Sequence, residues 1–173
     1  MFFETIKLEN NILCNINFHQ KRVESVFKEF SLVCPWKLND LILPPDNGVY
    51  RCRFNYNFSN YSIEFVPYIP KAINSLKIVY NDSIDYHLKK TDRSQLNALF
   101  LKRDKCDDIC IIKNGYITDT SIANLALFID NEWFTPKTPL LKGTFRAYLL
   151  EKSLLKEKSF NDQWAMDIKE SGR

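Results

Sequence analysis

The chain has 173 residues, 45% hydrophobic and 14% aromatic, too apolar for a disordered segment and long enough to bury a core. Its 24 basic and 21 acidic residues are interspersed, so a net charge of +3 supplies no block of charge that would mark a nucleic-acid binder. Five cysteines without zinc-ligand spacing, no apolar run of membrane-spanning length and no basic lead at Met1-Phe2-Phe3-Glu4 predict a cytoplasmic protein with inert thiols and no metal.

In chain order, Phe2 to Leu8 and Ile12 to Phe18 read as two strands around a turn at Glu9-Asn10-Asn11. His19 to Phe30 carries Val23, Val26, Phe27 and Phe30 at helical spacing, which predicts an amphipathic helix. After a loop with Pro35 and Pro44-Pro45, Tyr50, Cys52, Phe54 and Tyr56 alternate with Arg51, Arg53 and Asn55 as a half-buried strand does. A hairpin at Asn57 to Tyr61 returns through Ile63 and Phe65, and Leu76 to Tyr80 is a further short strand.

Composition shifts near residues 82 to 88, dividing the chain into an α+β lobe over 1–84 and an α/β lobe over 85–173. The second begins with Lys89-Lys90-Thr91-Asp92-Arg93 and a helix bearing Leu96, Leu99 and Phe100. Asn114-Gly115 between Ile109–Lys113 and Tyr116–Thr118 predicts a hairpin with a type I′ turn, since both residues tolerate positive φ. Ala123 to Ile129 reads as a strand ending at Asp130-Asn131-Glu132, and Gly143-Thr144 opens a helix with Phe145, Tyr148 and Leu149 on one face. The tail from Asn161 to Arg173 is polar.

Taken singly, these residues say little about chemistry. A lysine before a helix is usually solvated, Asp119 is a strand-end carboxylate, and Arg22 is a helix-surface arginine beside Val23. Gly143 and Thr144 at a helix start present amides without internal partners to an anion. Arg51 and Arg53, on one strand face, fit either a substrate carboxylate or plain solvation.

Five segments together are more telling: Phe3-Glu4-Thr5-Ile6, His19-Gln20-Lys21-Arg22, Lys89 to Arg93, Thr118-Asp119-Thr120-Ser121-Ile122-Ala123-Asn124-Leu125 and Leu140-Leu141-Lys142-Gly143-Thr144-Phe145-Arg146. In this order they resemble the class IV aminotransferase family, which includes branched-chain and D-amino-acid aminotransferases and aminodeoxychorismate lyase. The resemblance implies fold type IV, with pyridoxal phosphate between two lobes of a homodimeric enzyme. It implies that Lys89, three residues before Asp92, covalently holds the cofactor and moves protons, Lys90 fitting that spacing less well. Asp119 then faces the ring nitrogen, where better-known members carry glutamate, and Arg22, Gly143 and Thr144 hold the phosphate. Arg51 and Arg53 become candidates for the substrate, an amino or oxo acid.

The compact chain and short loops favour aminodeoxychorismate lyase, which releases 4-aminobenzoate and pyruvate for folate synthesis, over an amino-acid transaminase. The resemblance thins at both ends, where a leading and a closing strand are expected, so an inactive, shortened member is a further alternative. A single-stranded nucleic-acid binder using Tyr50 to Phe54 is the weakest reading. Alternation puts the aromatics of that strand on one face and the arginines on the other.

Overall fold

The computed structural model describes residues 1–164. It divides into two compact units, Met1–Lys71 with Leu88–Asp92, and Ala72–His87 with the chain from Arg93 onward. The division therefore differs from one cut at residue 84. Leu76–Tyr80 belongs to the second unit, and the short segment carrying Lys89 belongs to the first. Among the described residues no helix is long and apolar enough to cross a membrane.

The first unit is an antiparallel sheet with one long helix. Its strands are β1 (Phe2–Glu9), β2 (Ile12–Leu13), β3 (Val49–Tyr56) and β4 (Tyr61–Pro67), in the order β2-β1-β3-β4. Asn10 and Asn11, both at positive φ (48° and 66°), make the first turn, a conformation asparagine tolerates better than most residues.

The strand expected over Ile12 to Phe18 is only two residues long. Asn15 takes the left-handed conformation (φ 55°), its carbonyl accepts the amides of Phe18 and His19, and α1 (Ile16–Glu29) begins three residues before the expected start. Alternating apolar residues over so short a run fit a helix start as well as a strand. Inside the proline-containing loop a one-turn helix, α2 (Leu38–Leu41), was not expected; Leu38 and Ile42 enter the core, and Gln20 ties the loop to α1 by hydrogen bonds to Trp36 and Leu38.

Register decides the faces of this sheet. Phe2, Ile6, Cys52, Phe54 and Tyr56 join Val23, Val26 and Phe27 in one apolar cluster, so one face is covered. The opposite face carries Phe3, Thr5, Arg51, Arg53 and Asn55, in cross-strand pairs Phe3–Asn55, Thr5–Arg53 and Lys7–Arg51. Phe54 and Tyr56 are thus core residues, unavailable for stacking bases.

The Tyr56 hydroxyl is buried there without a hydrogen-bond partner among the described residues. A buried, unsatisfied hydroxyl costs roughly 1–3 kcal/mol. Tyr56→Phe is therefore expected to raise the unfolding free energy in urea by about 1 kcal/mol; a loss of stability would show that the hydroxyl is satisfied.

The second unit holds two three-stranded mixed sheets. In one, β5 (Leu76–Tyr80) pairs in parallel with β6 (Asp108–Lys113), and β6 pairs antiparallel with β7 (Tyr116–Ile117). Parallel neighbours need a long crossover, and α3 (Ser94–Phe100) lies within it. Ile109 and Ile111 face one apolar cluster while Cys110 and Ile112 face another, which is why β6 is a continuous buried run. The expected Asn114-Gly115 turn is present, with φ of 51° and 76°.

In the other sheet, β8 (Leu127–Ile129) pairs antiparallel with β9 (Glu132–Pro136), and β9 pairs in parallel with β10 (Lys156–Lys158) through a crossover containing α4 (Thr144–Glu151). β8 begins four residues later than the strand expected from Ala123, because Thr120 bonds back to Ala123 and closes a tight loop. Gly143 caps α4 as expected, but the helix buries Thr144 and Arg146 and leaves Phe145 59% exposed. Phe145 stacks on Tyr148 (6.0 Å), its neighbour on the expected face of the helix. Of the tail, Phe160 packs on Trp164; the rest of the polar stretch, 165–173, lies outside the described residues.

Candidate active site

On the covered face of the first unit, a carboxylate sits where the strand pattern calls for an apolar side chain. Glu4, fully buried on β1, lies 2.6 Å from His19 Nδ1 and accepts Arg22 Nε at 2.8 Å on its other oxygen; Arg22 Nη2 donates to it as well. Burial alone would raise the Glu4 pKa, but the Arg22 charge and the hydrogen bonds from His19 and Arg22 outweigh it and hold the carboxyl below its ordinary range. Arg22, expected at a phosphate, is thus oriented by a forked pairing with Glu4. Glu4 carries no role expected from the sequence; the signal that points to it is a glutamate flanked at two-residue spacing by Phe2 and Ile6.

Lys89 is found at the opposite face. Its carbonyl accepts the Phe3 amide (3.0 Å) and its Nζ lies 4.8 Å from the centre of the Phe3 ring. The Arg53 guanidinium is 4.4 Å from that same ring and donates to Asn55 Oδ1. Both cations therefore gather at one aromatic side chain, an attraction worth about 0.5–2 kcal/mol each. Arg51 is exposed two residues away on the same face. The backbone of the neighbouring Lys90 forms an isolated antiparallel β-bridge with Phe2.

In the second unit Asp119 follows β7, 5% exposed. Its Oδ1 accepts Asn124 Nδ2 (2.7 Å) and its Oδ2 accepts the Leu141 amide (2.9 Å). Burial nevertheless pushes its pKa up to about 6, since those hydrogen bonds and the Arg146 charge offset only part of the desolvation. Arg146 spans α4 to β9 and β10 through the Pro136 carbonyl, Thr135 and Glu157. Thr144, the first residue of α4, is buried beside the Gly143 cap.

Gly143 is there for space. A Cβ on it would stand 1.9 Å from Asn124 Oδ1, and Asn124 cannot retreat without releasing Asp119 and the Leu141 carbonyl, to which it also donates at 2.7 Å. Gly143→Ala is expected to destabilise the protein by about 1–3 kcal/mol, the usual cost of overpacking, measured by denaturant unfolding. An unchanged midpoint would mean that Asn124 moves freely.

The structure thus gathers Lys89 and Arg53 at Phe3, places Arg51 on their face and Arg22 on the other, and groups Asp119 with the Gly143–Thr144 helix start through Asn124. Within each unit these are donors of the kind an aldehyde-bearing, phosphorylated pyridine takes: an amine and a forked cation in the first, a buried carboxyl and a capped helix N-terminus in the second.

Comparison with known proteins agrees with this chemistry. The family model for amino-transferase class IV matches residues 68–170. An uncharacterized protein of Haemophilus influenzae is 42% identical over 163 residues, covering 91% of this chain and 87% of the relative. The chain belongs to the class IV amino-transferase family, a family of pyridoxal phosphate-dependent enzymes.

A crystal structure from Haemophilus somnus, provisionally assigned as a 4-amino-4-deoxychorismate lyase, matches with a TM-score of 0.90 and 37% identity over 95% of this chain and 90% of that one. A Brucella abortus aminotransferase bound to pyridoxal phosphate shares the fold, with a TM-score of 0.68 at 14% identity over 94% and 72% of the two chains. The two-lobed, mixed α/β architecture is that of fold type IV.

Proposed function

We propose that this chain is a pyridoxal phosphate-dependent lyase that converts aminodeoxychorismate to 4-aminobenzoate and pyruvate. Asp119 carries the cofactor assignment: a buried carboxyl with both oxygens oriented by fixed donors, one of them the Leu141 amide two residues before the glycine cap of α4. Choice of the lyase is supported by the likeness to the Haemophilus somnus protein over nearly the full length of both chains.

When bound, pyridoxal phosphate would supply an electron sink for the bonds broken at the substrate carbon. Lys89 Nζ would hold it covalently, then take and return protons at the substrate as a positioned base and acid. Asp119, as the carboxylate, would accept the ring N–H and hold that proton on the ring nitrogen by its negative charge. The first amides of α4, the Thr144 hydroxyl and the Arg22 fork, steadied by Glu4, would bind the phosphate. Arg53 and Arg51 would meet the substrate carboxylates from the face that carries Lys89.

The family match is to amino-transferases, so amino-acid transamination is the second reading. We read the working protein as a cytoplasmic homodimer serving folate synthesis; five unpaired cysteines suit a reducing compartment. Pyruvate assayed after mixing the loaded enzyme with aminodeoxychorismate tests the proposal. Stoichiometric pyruvate without an added 2-oxo acid supports the lyase. Turnover only with an amino-acid and oxo-acid pair replaces it with the transaminase, and sedimentation of the same sample reads the dimer.

A further inference from the structure

We infer that Asn124 is a positioning residue, fixing the direction in which Asp119 presents its carboxyl and tying that direction to the start of α4. The functional meaning rests on the reading of Asp119 as the partner of a pyridine ring; the geometric part stands without it.

Three distances carry the inference. Asn124 Nδ2 donates to Asp119 Oδ1 and to the Leu141 carbonyl, both at 2.7 Å. The Leu141 amide in turn donates to Asp119 Oδ2 at 2.9 Å, closing a ring of three residues around the carboxyl. Both protons of one amide nitrogen are used, so the Asn124 side chain has a single orientation that satisfies both acceptors.

That orientation turns Asn124 Oδ1 onto Gly143, at the position a Cβ would need. Two residues before the helix cap, Leu141 belongs to the same ring. A rotation of Asn124 would therefore move Asp119 and press on the turn that opens α4. An aspartate, one methylene shorter than glutamate, has less reach with which to correct a misplaced carboxyl. The other ionisable groups that act on Asp119 are Arg146 and Cys110, and neither makes a hydrogen bond to it in the structure.

The test uses Asn124→Asp, which keeps the shape but removes both donors, beside Asn124→Ala. The first readout is the Asp119 carboxyl followed by carbon-detected NMR titration in the cofactor-free protein. Its midpoint is expected to rise by at least about half a pH unit in both variants, because a hydrogen bond to the charged form is lost. The second is the dissociation constant for pyridoxal phosphate, expected to weaken about tenfold.

A folded Asn124→Asp variant with an unmoved Asp119 midpoint would overturn the inference, as would wild-type affinity in both variants. A wild-type protein that binds no cofactor would sink the functional reading instead. The NMR midpoint would still decide whether Asn124 positions Asp119.

Discussion

Replacing Lys89 by alanine is expected to lower turnover by at least about a thousandfold while leaving the fold intact. The size follows from losing both a covalent attachment and a positioned proton carrier, each worth about two to four orders of magnitude. The fold should survive because Lys89 lies outside the apolar clusters and its amine rests on the Phe3 ring, a contact of about 1 kcal/mol. Thermal unfolding should therefore move by only a few degrees. Lys90→Ala is the control: its backbone bridges to Phe2, one position along from the Lys89 carbonyl that accepts the Phe3 amide, and activity within about threefold of wild type is expected. Full activity in Lys89→Ala, or its loss only in Lys90→Ala, would reassign the lysine.

The second large effect is on stability. Glu4→Gln keeps the side chain's shape but leaves the half-buried Arg22 fork and His19 facing an amide. Breaking a buried ion pair from one side costs about 3–5 kcal/mol, so urea unfolding at neutral pH should show a loss of that order.

The pH dependence has a definite sign. Because the folded state holds the Glu4 carboxyl below its unfolded value of 4.5, its contribution is complete above that value and is lost as pH falls through the lower, folded one. Wild type should therefore converge on Glu4→Gln in acid, and a gap under about 1 kcal/mol at neutral pH would show the network to be a weak one.

Local chemistry was legible from the sequence and long-range pairing was not. Asn114-Gly115 announced its turn because two positive φ angles restrict the residue types that can make it. Gly143-Thr144 announced a helix start because glycine and threonine are among the residues favoured at an N-terminus, though the glycine turned out to serve Asn124, a neighbour 19 positions earlier that spacing cannot reveal. Ile12 to Phe18 failed because four alternating apolar residues fit the end of a strand and the beginning of a helix equally well.

Leu76 to Tyr80 read correctly as a strand, but its parallel partner lies beyond a helix, and periodicity carries no record of partners. Glu4 shows the same limit in the site. Its position on the buried face could be read from its neighbours, but not the meeting with His19 and Arg22 from the next helix. Phe145 and Tyr148 do share a helix face, and the Phe145 ring packs along it on Tyr148.

Covalent attachment of the cofactor at Lys89 is decisive. Pyridoxal phosphate added to the purified protein should produce a visible absorption band, and borohydride reduction followed by peptide mapping should place the fixed cofactor on Lys89. An unchanged spectrum, or label scattered over exposed lysines such as Lys21 and Lys137, would contradict it and leave a protein with the family's fold but without a working cofactor site.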